Sequence, residues 1–422
     1  MEYLLKYDGE LDKYTEDLRS RVEKVMENYN FKVETTLDAV TYSAYSKIKK
    51  DYLAGGVAGA HFYATKLPYA FSGGLQDFFV DLSELDTAET GFDIDDPDRF
   101  WQAVTSQAVI DGKQVGVGLI SGSMEVTEMN HGNIWAFNKN VVEKAGYSAA
   151  TIYKLVRDYK WSLEEAAKIM NAGYVADQNQ DGSPEVYGLT FYNNCLSHVS
   201  YLGGGQMVEK VGNTYKAVKT NTGITAVMDW LKTLLKDGLV WRTGSGNVRR
   251  AVLEGKTVFS SFGYDYLYRS DITEDMSQYE KNVCIVPAPV SETLLKEKRY
   301  YAAMQDTVVY AMPIGFDKTE KTKAATAFAA IAEAINDYEA YVDYNIASGQ
   351  LYDSDQVDMF KNYIIPSLGC DERELTGSVQ SSKLNEQMVL FTDFLAGDVS
   401  SAEAWSNACT AIDQFLADIH NS

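Results

Sequence analysis

Apolar residues in the first part of the chain recur with two alternating periods. Residues 2–7 and 31–36 alternate as strands do, and 57–63 is a third apolar run ending at Tyr63. Between them, residues 10–28 place Leu11, Tyr14, Leu18, Val22 and Val25 at helical spacing, and 43–54 reads as a second helix. This order predicts a β-α-β-α-β unit, a parallel sheet with helices on its faces. Ligands of such sheets sit beyond the carboxyl ends of the strands. The residues there are Tyr7, Asp8, Thr36, Asp38, Tyr63 and Thr65.

Further along, 75–85 is amphipathic, 93–98 is a set of acidic turns, 99–109 reads as a helix and 111–117 as a hairpin. Gly116, Gly118 and Gly122 then predict a loosened segment, a candidate crossing between domains. The middle of the chain repeats the alternation. Strands are expected at 133–138, 186–192, 257–262 and 282–287, and helices from 139, over 161–170 and over 220–237. Ser162 and Glu165 form a capping-box pattern at the second of these helices. A strand at 307–312 precedes an alanine-rich helix over 317–335, which opens with Asp317 and Glu320. The remainder reads as largely helical, broken at 366–369 and 397–398.

Length changes the picture first. At 422 residues and 45% hydrophobic content the chain is too long for one core, since single cores stop growing near roughly 250–300 residues. Two domains are expected. Sixty acidic against 38 basic residues give a net charge of −22. Such a surface repels phosphate backbones and anionic lipid, so no nucleic-acid partner is expected. Cys195, Cys284, Cys370 and Cys409 stand far apart with no CxxC pair, so no disulfide framework is expected; a Cys370–Cys409 pairing is left open. No apolar run is long enough to span a bilayer. Met1 leads straight into the first strand, so an export signal is expected to have been removed.

Several stretches carry a family resemblance. Lys49–Thr65 is a helix, a glycine turn and a strand. Phe79-Val80-Asp81-Leu82 precedes Trp101 and Asp111-Gly112-Lys113. Residues 135–146 run Trp-Ala-Phe-Asn-Lys-Asn-Val-Val-Glu-Lys-Ala-Gly, and Lys160-Trp161-Ser162-Leu163-Glu164-Glu165 follows. Leu253-Glu254-Gly255-Lys256 precedes a strand, and Val286-Pro287-Ala288-Pro289 comes after it. In this order and spacing, over nearly the whole chain, the sequence resembles the extracellular solute-binding proteins of family 1, the group that includes maltose-binding-like proteins. The run after Lys113 lacks the family's common proline, with Gly118 there instead, and Trp405 sits inside a helical pattern.

The resemblance implies an α/β, two-lobed periplasmic-binding-protein-like fold of type II, each lobe a mixed sheet flanked by helices, with a ligand cleft between them. The implied division is 1–119 and 306–350 for the N-terminal lobe, and 120–305 with the helical tail 351–422 for the C-terminal lobe. It also implies a monomeric binding component of an ABC transporter. That component would be an extracellular lipoprotein or periplasmic protein that hands its solute to membrane permease subunits.

A sugar needs aromatic faces for its C–H surfaces and carboxylates or amides for its hydroxyls. With 29 tyrosines, the chain has aromatics beside such groups at predicted strand ends. Asp8, Tyr42, Tyr63, Asn193, Asn194, Trp241, Tyr264, Asp265 and Asp306 are the candidate ligand residues. Tyr63 and Tyr264 match family positions of cleft aromatics. A carbohydrate, an oligosaccharide in particular, is the expected solute; a peptide or polyamine binder and a glycan-active enzyme are the alternatives. No catalytic residue is expected. Gly255-Lys256-Thr257 lacks the earlier glycine of a phosphate loop, Arg250 standing there, and His198 has no triad company. Asp177, Asn179, Asp181 and Glu185 around Gly182 resemble half a calcium loop, but Gly188 replaces its bidentate acid. This segment reads either as an Asx-rich surface turn or as a structural Ca2+ site; no other cofactor is expected.

Overall fold

The computed structural model describes residues 13–34, 48–50, 52, 54, 59–119, 133–192, 202–204, 207–211, 214–263, 281–304, 307–337, 339–340, 342–343, 351–370 and 399–420. The predicted strand 2–7 lies outside them. Helix α1 (Lys13–Tyr29) buries Leu18 and Val22 of the predicted stripe, with Thr15 beside them, while Tyr14 and Val25 are partly buried. Residues 31–34 are not a strand, and of the predicted helix 43–54 the described part is helical at 48–50 and 52. Strand β1 (Tyr63–Lys66) starts where the predicted strand was to end and runs into α2 (Leu67–Leu75). The predicted helix over 99–109 shrinks to α3 (Gln102–Thr105), because turns around Asp96 occupy its first half. The expected hairpin forms as β2 (Val109–Ile110) and β3 (Lys113–Gln114).

The central part is one mixed sheet. It begins with β4 (Asn133–Asn138), α4 (Lys139–Lys144), α5 (Ala149–Arg157), α6 (Leu163–Gly173) and β5 (Tyr187–Tyr192). A hairpin of β6 (Val208–Val211) and β7 (Thr214–Ala217) precedes α7 (Thr222–Lys236), β8 (Val240–Thr243), α8 (Ser245–Leu253), β9 (Thr257–Gly263) and β10 (Val283–Val286). The strand order is β10-β4-β9-β5-β8, with β5 parallel to β8 and β9, and β4 antiparallel to β9 and β10. Asn138, Ser148, Ser162 and Asn221 each cap a following helix by accepting backbone N–H groups. The helices bury their apolar faces on a core that includes Trp135, Phe137, Trp161 and Phe259.

The chain then returns. After α9 (Glu292–Lys296) and β11 (Ala302–Met304), strand β12 (Val308–Ala311) pairs antiparallel with β1, Tyr63 facing Ala311 and Lys66 facing Val308. Helix α10 (Lys318–Ile335) opens with the full Asp317–Glu320 capping box and packs on α1. Leu18 and Val22 thereby share a core with Phe92, Phe100, Met312 and Ala329. Helix α11 (Ser354–Met359) continues as a π-helical turn at Phe360–Ile364 and a 3-10 turn around Pro366. Strand β13 (Leu368–Cys370) occupies the predicted break and pairs parallel with β11. The last described element is α12 (Ser401–His420). It buries Trp405, whose indole N–H donates to the Val218 carbonyl at 2.9 Å.

Gly116 and Gly118 of the candidate crossing do not loosen the chain, and Gly122 lies outside the described residues. A Cβ on Gly116 would lie 2.7 Å from Val309, and one on Gly118 would lie 2.6 Å from Val104. Val117 and Tyr310 exchange backbone hydrogen bonds between them. These glycines permit close packing rather than motion. Cys409 is a free, buried thiol, so the Cys370–Cys409 pairing is not formed. No helix of the described residues is long and apolar enough to cross a membrane.

Candidate functional site

The carboxyl ends of β5, β8 and β9 gather on one side of the central sheet. Tyr192 faces Thr243 across the β5–β8 pair, and Gly263 faces Asn133 at the start of β4. Asn193, Asn194, Tyr264 and Asp265 follow directly in sequence and lie outside the described residues, as do Asp8, Tyr42 and Asp306. Just inside these ends the sheet carries buried polar side chains. Thr190 and Ser260 are cross-strand partners with no exposure. The Ser260 hydroxyl donates to the Val248 carbonyl at 3.0 Å, while the Thr190 hydroxyl has no hydrogen-bond partner among the described residues. A buried hydroxyl without a partner costs stability. Reasoning from sequence passed over Thr190 because a threonine in a strand carries no signal of its own.

Tyr63 and Trp241 fall in described structure, and neither stands at a carboxyl end. Tyr63 opens β1 and packs, half-buried, with Ile48, Phe78 and Phe79. The register explains the difference: the strand runs three residues beyond Tyr63, so its carboxyl end is Lys66. Lys66 is 6% exposed beside the fully buried Thr65, and Leu67 N–H donates to the Thr307 carbonyl at 2.8 Å. A buried lysine at a strand end is the feature that the reading of aromatics missed. Trp241 is the second residue of β8 and stacks on Tyr187 at 5.5 Å between ring centroids. Tyr187 is the first residue of β5, so this ring leans toward the amino end of a parallel pair, away from the strand ends.

The Asp177–Glu185 turn is held by its own backbone. Asp177 accepts N–H groups from Gln180, Asp181 and Gly182 at 2.7–3.2 Å, and Asp181 accepts that of Ser183 at 2.9 Å. Asn179 accepts from Asp181, and its own N–H donates to Glu185. Gln180 and Gly182 take the left-handed backbone such a turn needs. Among the described residues no three His, Cys, Asp or Glu side chains come together in a way that could hold a metal ion.

The described thiols are not poised nucleophiles. Burial pushes the Cys284 thiol up, and burial followed by the neighbouring Asp413 pushes Cys409 up to about 11. Both stay protonated at neutral pH, whereas a reactive cysteine needs the thiolate.

No family model matches the sequence, and no curated protein matches it by sequence. Solved structures match over almost the entire length. The sugar-binding protein MalE of Xanthomonas citri superposes with a TM-score of 0.62 at 12% identity, covering 96% of each chain. The GacH receptor of Streptomyces glaucescens, solved unliganded and with acarbose, matches with a TM-score of 0.59 at 15% identity, again over 96% of each. UgpB of Mycobacterium tuberculosis, in complex with glycerophosphocholine, matches with a TM-score of 0.59 at 11% identity, covering 96% of this chain and 95% of that one. The chain has the two-lobed fold of periplasmic binding proteins. The fold explains the returning strand: β12 comes back to β1 after the whole central sheet has been laid down.

Proposed function

We propose that this protein is the solute-binding component of an ABC importer, which closes two lobes on a carbohydrate and delivers it to membrane permease subunits. The observation that carries the reading is the fold match over 96% of the chain to proteins described as sugar-binding. Two further neighbours are described with a cyclic maltosyl-maltose and with cycloalternan, which favours an oligosaccharide. The lobes are assigned as 1–119 with 306–350, and 120–305 with 351–422. The core shared by α1, β12-flanking Met312 and α10 supports the first pairing. The cleft would then be closed by Asp8, Tyr42, Asn193, Asn194, Tyr264, Asp265 and Asp306, with Lys66 added at the end of β1. The protein acts as an extracytoplasmic monomer, anchored as a lipoprotein or free in the periplasm, and turns over nothing it binds.

The glycerophosphocholine complex of UgpB favours a second reading, a non-sugar solute on the same fold. A thermal-shift screen separates the two. Maltodextrins, cyclic glucans and other oligosaccharides are set against glycerophosphodiesters, polyamines and short peptides. Stabilisation by an oligosaccharide, recovered unchanged after incubation, is the expected result. Shifts confined to the second group would replace the sugar reading, and a hydrolysed sugar would make the protein an enzyme. For the Asp177–Glu185 turn the proposed role is structural. Calorimetric heat on adding millimolar calcium would make it a metal staple, and no heat would leave it a turn closed by its own backbone.

A further inference from the structure

One pocket is built from none of these residues and lies at the other edge of the central sheet. In the order β10-β4-β9-β5-β8, the loops of the solute reading follow β5 and β9, while β10 is the far edge. Helix α11 and the π-helical turn pack against β10. Between that turn, the α5–α6 connection and the segment entering β11 is a pocket of about 220 Å3. Tyr159, Tyr300, Tyr301, Tyr363, Lys298 and Arg299 form much of its wall.

Three irregular pieces of backbone converge there. Tyr159 and Lys298 sit just past helix ends in the left-handed region, at φ 52° and 54°. Each closes its helix by the paired backbone bonds normally completed by glycine: Tyr159 and Lys160 donate back to Val156 and Leu155, and Lys298 and Arg299 donate back to Leu295 and Leu294. Tyr363 is presented by the π-helical turn, a rare form often kept at functional positions. A bulky side chain in the left-handed region is strained, and each of these turns sets that side chain at the pocket.

The wall suits a sugar ring. Tyr159 stacks on the buried Tyr300 at 5.5 Å, and Tyr363 packs edge-on against Tyr300 and tilted against Tyr159, both Tyr159 and Tyr363 being half-buried. The Tyr300 hydroxyl is spent on the Val156 carbonyl at 2.9 Å. The hydroxyls of Tyr159 and Tyr363 and the Lys298 ammonium make no hydrogen bond among the described residues, and remain for a ligand. Arg299 is engaged, its guanidinium over the Tyr301 ring, hydrogen-bonded to the Tyr301 hydroxyl and paired at 3.8 Å with Glu297, whose charge offsets its own. Drug-sized ligands occupy roughly 300–1,000 Å3, so this smaller volume suits one ring rather than a chain.

We propose that this pocket, which Gln107 of the first lobe also lines, is a second ligand site for a single pyranose-sized sugar, distinct from the loops that follow β5 and β9. The test is saturation-transfer NMR on the intact protein with millimolar methyl α-glucopyranoside, galactose and mannose. Tyr159→Gly removes a ring while relieving the left-handed backbone, so that variant keeps its fold; Tyr363→Ala removes the second ring. At least one monosaccharide should bind the wild type, and about tenfold more weakly to either variant, the loss of one contact worth ~1.4 kcal/mol. Absence of transfer from all three sugars, or a signal indifferent to both pocket variants, overturns the site. A signal indifferent to both pocket variants but lost in Tyr264→Ala, at a residue of the proposed cleft, assigns the sugar to the cleft, which overturns the second site and leaves the importer reading standing.

Discussion

The central sheet and the α1–β1–β12–α10 region solve the same packing problem by different routes. In the sheet, each strand is followed within a few dozen residues by helices that cover it, and large rings meet at its centre. Phe259 lies 5.4–6.0 Å from Trp135, Phe137 and Trp161, with no exposure. In the other region the partners are distant in sequence: Arg21 on α1 bonds Asp337 beyond α10 at 2.7 Å, and β1 waits for β12. Its central ring is Phe328, half-buried among Phe62, Phe92 and Phe100. The sheet closes long loops too, since β4 pairs with β9 and β10 about 120–150 residues later, but the β1–β12 pairing closes one of about 245, and the longer loop costs more chain entropy.

The largest effect should therefore come from the sheet. Phe259→Ala removes a fully enclosed ring and should cost about 3–5 kcal/mol. Phe328→Ala, in the same chemistry at partial burial, should cost about half of that. Urea midpoints with an unchanged m value would measure both. Equal losses would mean that the returning region is packed as tightly as the sheet, and would erase the contrast drawn above.

A smaller effect sharpens how β12 is seated. Gly116→Ala drives a methyl against Val309, and overpacking of this kind costs about 1–3 kcal/mol. Val309→Ala removes the obstructing γ-carbons that stand 2.7 and 3.5 Å from such a Cβ. The Val309 Cβ, also 2.7 Å from such a methyl, stays in alanine, so the double variant should recover only part of the Gly116→Ala loss in the same unfolding assay, a coupling of neighbours. Simple addition of the two losses would show that Gly116 is glycine for some other reason than contact with β12.

Legibility in sequence follows the same divide. The helix and strand periods placed β4, β5, β9, α7 and α10 to within a few residues, because the helices bury one regular face and β4 and β9 are short apolar runs buried on both. Asp317–Glu320 announced a helix start that the structure completes. The antiparallel β1–β12 pairing was not legible, since nothing local says that residues 63–66 await 308–311. The glycines at 116 and 118 were misread as freedom for a related reason: the side chains that require them, Val309 and Val104, are close in space only after folding. Aromatic content pointed to a sugar site, yet Tyr63 and Trp241 both turned out to pack against other rings or apolar side chains. The far-edge pocket had no sequence signal, because its parts come from three separate turns.

The smallest effect tests the electrostatic clasp between α1 and the end of α10. Burial alone would raise the Asp337 carboxyl. Hydrogen bonds from the Ala340 N–H and from Arg21, with the charge of Arg21, outweigh it and hold the carboxyl below its ordinary value. A carboxylate with a depressed folded value stabilises the fold above the unfolded value, about pH 3.9. That contribution disappears as pH falls through the lower folded value. Asp337→Asn should therefore be less stable than wild type at neutral pH by about 0.5 kcal/mol, the scale of a partly solvated ion pair. The difference should shrink to nothing as the pH is taken below 3.9. Melting curves of both proteins between neutral pH and strong acid would trace it. A gap that persists in acid would mean that Asp337 acts through its hydrogen-bond geometry and not its charge. The meeting of α1 and α10 would then rest on packing and hydrogen bonds, with no part for charge.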